Sequence, residues 1–362
     1  MQINLLIMSR LQGQKKKIII FFFVSALIVY PLFDPIFGVS PAAGDDQIIL
    51  HYPTGNVVME FGFLSISLEI PVGSADLIRA DNNGKEAARI VPDLKYECFS
   101  VPLNLGLNKI TITAMKSGLP IFTAHVNAFR RSDIESLYKN PPSDFKKDYF
   151  HGKDRLECSE CHLLVPRESD IKPVSPSSFI AETFDKKTVI AATSTCYSCH
   201  NKLASLPYVH GPVAVWSCLS CHEADSEPKY AVKKPDTEVC FGCHTEQRRD
   251  WLSRKYIHGP VTIGNCAICH SPHSSDYPFN LYKSTWDLCV NCHAEKGSGL
   301  HVLGDAFSTE GHPTRNKPDP LRPGKDLSCA SCHNAHASDY PHLWAFDVEN
   351  MFELCTKCHY DK

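Results

Sequence analysis

The chain has 362 residues, with 37 lysines and arginines against 40 aspartates and glutamates, for a formal net charge of −3. A balance that close to neutral excludes the basic footprint of a nucleic-acid binder, and the length points to two or three domains. The 17 cysteines beside 18 histidines lie far outside ordinary usage and demand either disulfides or metal chemistry, which only their spacing can separate.

Residues 1–43 read as a targeting segment. Lys15, Lys16 and Lys17 precede an apolar stretch at 18–33, interrupted by Ser25 and broken at Pro31. It is too long for a typical signal core and shorter than the roughly 20 residues of a spanning helix. Two outcomes therefore stand: cleavage at Ser40-Pro41-Ala42, or retention as an inner-membrane anchor. Either one exports the remainder, to the periplasm or outside the cell. Cleavage after Ala42 removes Arg10, three lysines and Asp34, which takes the formal charge to −6.

Residues 46–130 carry a different pattern. Leu64-Ser-Ile-Ser-Leu-Glu-Ile70 and Lys109-Ile-Thr-Ile-Thr-Ala114 alternate apolar and polar positions, the period of half-buried strands. Further strands are expected at 47–51, 57–61, 88–91, 96–101 and 121–127, separated by Gly, Asn, Asp and Pro. Seven short strands suggest an all-β sandwich. The run Gly106-Leu-Asn-Lys-Ile-Thr-Ile-Thr-Ala114 resembles the late-strand pattern of bacterial immunoglobulin-like domains, which implies an immunoglobulin-like sandwich used for docking or as a spacer. Cys98 is expected as a small buried apolar residue on a strand, and His51 and His125 as strand histidines. Residues 131–150 read as a linker with a Ser132-x-x-Glu135 capping box before Asn140-Pro141-Pro142.

From residue 151 one signature dominates: two cysteines two residues apart, then histidine. It occurs at Cys158/Cys161/His162, Cys196/Cys199/His200, Cys218/Cys221/His222 and Cys240/Cys243/His244. It recurs at Cys266/Cys269/His270, Cys289/Cys292/His293, Cys329/Cys332/His333 and Cys355/Cys358/His359. Cysteines at this spacing can form thioethers to the two vinyl groups of one haem, and the adjacent histidine supplies an axial imidazole. Zinc ribbons do not require a histidine after every second cysteine, and disulfide scaffolds do not require one at all. Eight covalent c-type haems, with their irons, are the expected cofactors.

The motifs come in pairs, each preceded by a histidine: Tyr-Phe-His151-Gly, Tyr-Val-His210-Gly-Pro-Val, Tyr-Ile-His258-Gly-Pro-Val and Gly-His312-Pro. Two pairs share a longer signature, Cys266-Ala-Ile-Cys-His-Ser-Pro-His273-Ser-Ser-Asp-Tyr-Pro and Cys329-Ala-Ser-Cys-His-Asn-Ala-His336-Ala-Ser-Asp-Tyr-Pro. Recurrence of this kind marks a repeated structural unit. Residues 151–362 resemble the doubled-CxxCH multihaem cytochromes c, and the first two units depart from the pattern by lacking the histidine after the motif. Outside the motifs, this region holds His151, His210, His258, His273, His301, His312, His336 and His342. Eight further histidines for eight haems suggest bis-histidine ligation throughout, with these residues as distal ligands.

Six-coordinate irons have no vacant position for substrate, so electron transfer is expected and no catalytic residue is assigned. With about 26 residues per haem, the macrocycles must form much of the core, held by short helices and loops. Bis-histidine ligation implies low potential relative to methionine/histidine ligation. The expected partners are other redox proteins, namely a quinol-oxidising membrane complex or other multihaem cytochromes, in anaerobic respiration or extracellular electron transfer. Two alternatives accompany this reading. One is a subunit of a self-assembled extracellular cytochrome filament, with His51 or His125 donated to a neighbouring protomer. The other is an octahaem reductase of nitrogen or sulfur oxyanions.

Overall fold

In the computed structural model, residues 47–131, 140–148, 150–152, 159, 163–166, 194–303 and 310–359 are described. The expected targeting segment, residues 132–139 and 149 of the expected linker, and the first motif (Cys158, Cys161 and His162) lie outside them. No helix among the described residues is long and apolar enough to cross a membrane.

Alternating side chains build the first region. Its strands are β1 (Ile49–Tyr52), β2 (Val57–Met59), β3 (Phe63–Glu69), β4 (Leu77–Asn82), β5 (Lys85–Ile90), β6 (Tyr96–Pro102), β7 (Gly106–Lys116) and β8 (Leu119–Arg130). They form a three-stranded sheet in the order β1-β3-β6 and a five-stranded sheet in the order β2-β8-β7-β4-β5, with β2 parallel to β8. Leu64, Ile66 and Leu68 of β3 face Ile78, Ile110 and Ile112 of the other sheet in one apolar core, and all are essentially solvent-free. Burying each such side chain stabilises the fold by about 1.5–3 kcal/mol before entropy is charged. Asn108, fully buried, accepts from Asn104 N and donates to Asn104 O and Gly106 O, closing the β6–β7 turn.

Two expectations are corrected here. β4 was not among the expected strands, because Leu-Ile-Arg-Ala-Asp-Asn runs into a turn signal and carries polar residues; its buried positions are Ile78, Ala80 and Asn82. Cys98 is exposed rather than buried. The register of β6 turns Glu97 and Val101 inward, so Cys98 faces outward, with its thiol 3.7 Å from Ser67 Oγ.

The second region is made of small elements, as expected. Its helices are α1 (Tyr197–His200), α2 (Gly211–Ala214), α3 (Thr237–Cys243), α4 (Thr245–Ser253), α5 (Gly259–Thr262), α6 (Thr285–Val290), α7 (Leu300–Leu303) and α8 (Met351–Thr356). Two-residue strands join them: β9 (Tyr208–Val209) with β13 (Ser274–Ser275), β10 (His222–Glu223) with β11 (Ala231–Val232), and β12 (Tyr256–Ile257) with β14 (Ala337–Ser338). Of the 22 buried hydrophobic residues described, only Trp216, Phe241, Ala337 and Val348 lie here, so the polypeptide supplies little core of its own. The two regions touch through Tyr52 against Phe150 (ring centroids 5.8 Å apart) and Phe61 against His273 (6.1 Å).

Candidate functional site

The second region encloses a connected cavity of about 3040 Å³, bordered by His151, His210, Trp251, His301 and Trp344 and reaching Phe61 of the β-sandwich. A pocket for one small ligand measures about 300–1,000 Å³, so this space accommodates several large ones. Seven of the eight motifs are described, and cysteines from six of them, Cys196 to Cys332, border the cavity.

Within each pair the two motifs adopt different local structure. The first cysteine of the leading motif opens a single 3₁₀ turn, at Cys218–Ser220, Cys266–Ile268 and Cys329–Ser331. The trailing motif sits on a true helix: Cys240 and Cys243 on α3, Cys289 on α6 and Cys355 on α8. Two of these helices have side-chain caps legible in sequence. Ser284 Oγ accepts from Asp287 N at the start of α6, and Asn350 Oδ1 accepts from Glu353 N at the start of α8. The upstream histidines His210 and His258 precede α2 and α5 with identical backbone angles (φ −64°, ψ 140°), because the following Gly-Pro-Val starts a helix with proline in its first turn.

The histidines meet in pairs, each joining one motif residue to one residue outside the motifs. His151 lies opposite His200 with ring centroids 6.0 Å apart, His210 opposite His244 (6.3 Å), and His273 opposite His222 (6.1 Å). His258 faces His293 (6.2 Å), His336 faces His270 (6.0 Å), and His312 faces His359 (6.4 Å). Two imidazoles on opposite sides of one metal, each with a bond of about 2 Å and roughly 1.1 Å from nitrogen to ring centre, stand about 6 Å apart. A direct stack is closer, as Trp251 on His336 shows at 4.0 Å. The donor set and its spacing therefore fit an iron between the members of each pair. His301 also lies within electrostatic reach of His333, the remaining described motif histidine.

Carbonyl groups fix the ring orientations. The Nδ1 atoms of His222, His270 and His333 lie 2.7, 2.8 and 2.7 Å from the carbonyls of Tyr230, Phe279 and His342. Nδ1 of His210 lies 3.1 Å from Pro272 O, and Nδ1 of His312 lies 2.9 Å from Pro313 O. A proton donated from Nδ1 leaves the Nε2 lone pair for a metal. Burial pushes His200, His273 and His336 down to about 4, which keeps these imidazoles neutral and able to bind. Sequence reasoning missed the carbonyl acceptors of Tyr230, Phe279 and His342. All three have positive φ (63°, 60° and 55°), and the shared Asp-Tyr-Pro preceding the last two was their only signal.

Neighbouring motifs touch. Cys240 lies beside Cys266, and Cys289 beside Cys329, bringing the end of one unit to the start of the next. Electrostatic contact also links Cys221 to Cys240 and Cys243, Cys269 to Cys292, and Cys332 to Cys358. Six motifs, from Cys218 to His359, thus form an unbroken series. Among the described residues no three His, Cys, Asp or Glu side chains converge as a metal-binding group.

A family model described as the doubled CXXCH motif matches residues 210–249, 258–298 and 320–362. The first two of these spans begin at His210 and His258. Over 150 residues the chain is 30% identical to the multihaem cytochrome MtrA of Shewanella baltica (strain OS185), a match covering 39% of this chain and 43% of that protein. The chain thus aligns with less than half of that relative's length. Solved structures of fibronectin(III)-like modules of Clostridium thermocellum CbhA cover 23% of the chain, and 95% of their own, at 17% identity and a TM-score of 0.20. An FMN-binding β-glucuronidase from Facaelibacterium prausnitzii L2-6 covers 24% of this chain and 12% of its own at 16% identity and 0.19. Scores this low do not bear on the fold. The paired motifs hold covalently bound c-type haem.

Proposed function

We propose that this chain, which belongs to the doubled-CxxCH multihaem cytochromes c, carries electrons along a row of eight covalently attached haems in the periplasm or outside the cell. The observation that supports it most is the set of six motif-to-distal histidine pairs at 6.0–6.4 Å. An iron held between two imidazoles offers no position to a substrate and changes only its charge. The contacts between successive motifs supply the second requirement, since electrons pass between haems only where the haems lie close together. On this reading His151, His210, His258, His273, His301, His312 and His336 are distal ligands, and the thioether cysteines fix the order of the row.

The β-sandwich, read here as immunoglobulin-like, sets Phe61 against His273 and walls one side of the cavity, so it excludes water from the haem nearest it. Other redox proteins are the partners: a quinol-oxidising membrane complex as donor, or further multihaem cytochromes. Export follows from the targeting segment, because haem attachment to CxxCH and a membrane-side donor both call for it.

The test is a stepwise reductive titration of the purified, haem-loaded chain. Haem counted as its pyridine derivative should reach eight per polypeptide. Reduction should spread over a wide range of low potentials, with electrons passing to a soluble acceptor cytochrome. A count that stops well short of eight, or rapid turnover of nitrite, hydroxylamine or tetrathionate in place of electron relay, overturns the proposal.

A further inference from the structure

Five of the six facing histidine pairs are close to aligned. The ring planes of His222 and His273 meet at 8°, His210 and His244 at 11°, His270 and His336 at 13°, His258 and His293 at 30°, and His151 and His200 at 31°. His312 and His359 stand at a similar separation, 6.4 Å, with their planes crossed at 87°.

The crossing originates in the segment that carries His312. His210 and His258 each lead into a short helix and turn their rings to the backbone of Pro272 and Ala335, the residues just before His273 and His336. His312 is followed directly by proline, and residues 311–314 are neither helix nor strand. Its Nδ1 lies 2.9 Å from Pro313 O, within its own segment. It also stands 17 positions before Cys329, where His210 and His258 stand eight before Cys218 and Cys266.

Two sets of contacts fix that segment. Gly299 and Gly311 pass close together, both with positive φ (76° and 73°). A Cβ at Gly299 would overlap His312 O, and one at Gly311 would stand 2.6 Å from Ser298 O, so only glycine fits either place. His312 N donates to Gly299 O across this approach at 3.3 Å. Next along the chain, Thr314 Oγ1 accepts from Trp286 Nε1 (3.1 Å) and donates to Gly297 O (3.4 Å). The Arg315 guanidinium lies 3.8 Å from the centre of the Trp286 ring. Trp286 belongs to α6, the helix of Cys289. The segment of His312 is thus anchored on the helix of a neighbouring motif.

Each imidazole has a filled π orbital perpendicular to its ring that overlaps an iron d orbital. Aligned rings raise the same d orbital and split it from its partner, which stabilises the ferric state. Crossed rings raise both equally, so the two stay nearly degenerate and the ferric state is less favoured. Axial ligands and the contacts that orient them are among the levers that set a haem's potential. We infer that Trp286 and Thr314 are positioning residues that hold His312 crossed to His359, and that the crossing makes the iron between them easier to reduce than aligned imidazoles would. This rests on the proposed reading of these histidines as ligands. Reduction takes one electron from a redox-protein donor, and the row gains a site at which that electron is held.

The experiment uses the complete haem-loaded chain, oxidised, in electron paramagnetic resonance with a parallel redox titration. Haem count comes first, because fewer than eight per chain sinks the loading proposal itself. Crossed imidazoles give a low-spin signal of extreme g anisotropy, and aligned ones a rhombic signal. His312→Ala should convert one haem's share of the extreme signal to high spin. Loss of a rhombic share in its place overturns the crossing, and an unchanged spectrum overturns the ligand assignment beneath it. Thr314→Val should convert the same share to a rhombic signal, with haem count and high-spin content unchanged, and should lower the potential at which that share disappears on reduction. Thr314→Ser, which keeps the hydroxyl, should behave as the parent. Trp286→Phe keeps a ring under Arg315 but loses the indole donor, and should match Thr314→Val. An extreme signal unchanged in Thr314→Val or in Trp286→Phe overturns the positioning role, and a realigned signal at the parent's potential overturns the effect on reduction. Electron relay stands in either case.

Discussion

At the residue scale, the chemistry rests on imidazoles aimed by backbone carbonyls and kept neutral by burial. His258 illustrates the dependence: its ring lies opposite His293, and burial holds it below the ordinary histidine range. Replacing it by alanine should raise the number of high-spin haems by one without changing the haem count, measured by electron paramagnetic resonance and by the pyridine derivative. A second residue works outside the ligand set. Asp319 is almost fully buried, which by itself raises a carboxyl group. It nevertheless sits below the usual carboxylate range, because Ser331 Oγ and Arg322 Nε (both 2.7 Å) and Leu321 N (2.9 Å) bond to it. Ser331 lies between Cys329 and Cys332, so Asp319 pins that motif. A depressed carboxyl stabilises the fold fully above its unfolded value near 3.9 and stops doing so as pH falls through the lower folded value. Asp319→Ala should cost about 2 kcal/mol near neutrality. Urea denaturation followed through the Soret band should show the gap between variant and parent narrowing as pH falls below the unfolded value near 3.9.

Elements in the second region are too short to be stable alone, so caps and strand pairs carry disproportionate weight. Ser284→Ala removes the side-chain cap of α6, which carries Cys289. It should cost about 1 kcal/mol and loosen the His258–His293 site first, seen as faster hydrogen exchange over 285–293 than over α8. The capped starts of α6 and α8 and the proline starts of α2 and α5 are legible in the sequence as Ser-x-x-Asp, Asn-x-x-Glu and Gly-Pro-Val. The two-residue strands β9 to β14 are not legible, because no pattern two residues long distinguishes a strand from a loop. Their pairing is set by His210 N and His258 N finding carbonyls about 60 and 80 residues away. β4 escaped for a related reason: its buried positions include Ala80 and Asn82, and the Asn82 amide nitrogen finds its acceptors, Asn108 Oδ1 and Pro102 O, on other strands.

At the scale of the molecule, two regions fold on different principles. The β-sandwich holds 18 of the 22 described buried hydrophobic residues, whereas the region of paired motifs encloses a cavity instead of a core. The haems are then its interior. Expression in cells unable to attach haem to CxxCH should give a chain whose first region resists limited proteolysis while residues 194–359 are degraded. Protection of both regions without haem would show that the polypeptide organises the cavity alone.

The sequence by itself determined the cofactor chemistry, because attachment to haem depends on residues adjacent in the chain: two cysteines, two spacers and a histidine. It also determined the β character of residues 46–130, whose alternation is local, and the presence of four units, whose repeats are visible by eye. Only the tertiary structure decided which histidine faces which motif. The facing histidines lie 34 to 66 positions apart and, for the first motif of a unit, belong to different units. The fold also sets His342 beside Trp344 with its carbonyl turned to His333 Nδ1. Spacing along a chain fixes bonds made within a turn, but a ligand on the far side of an iron is chosen by where two separate segments meet.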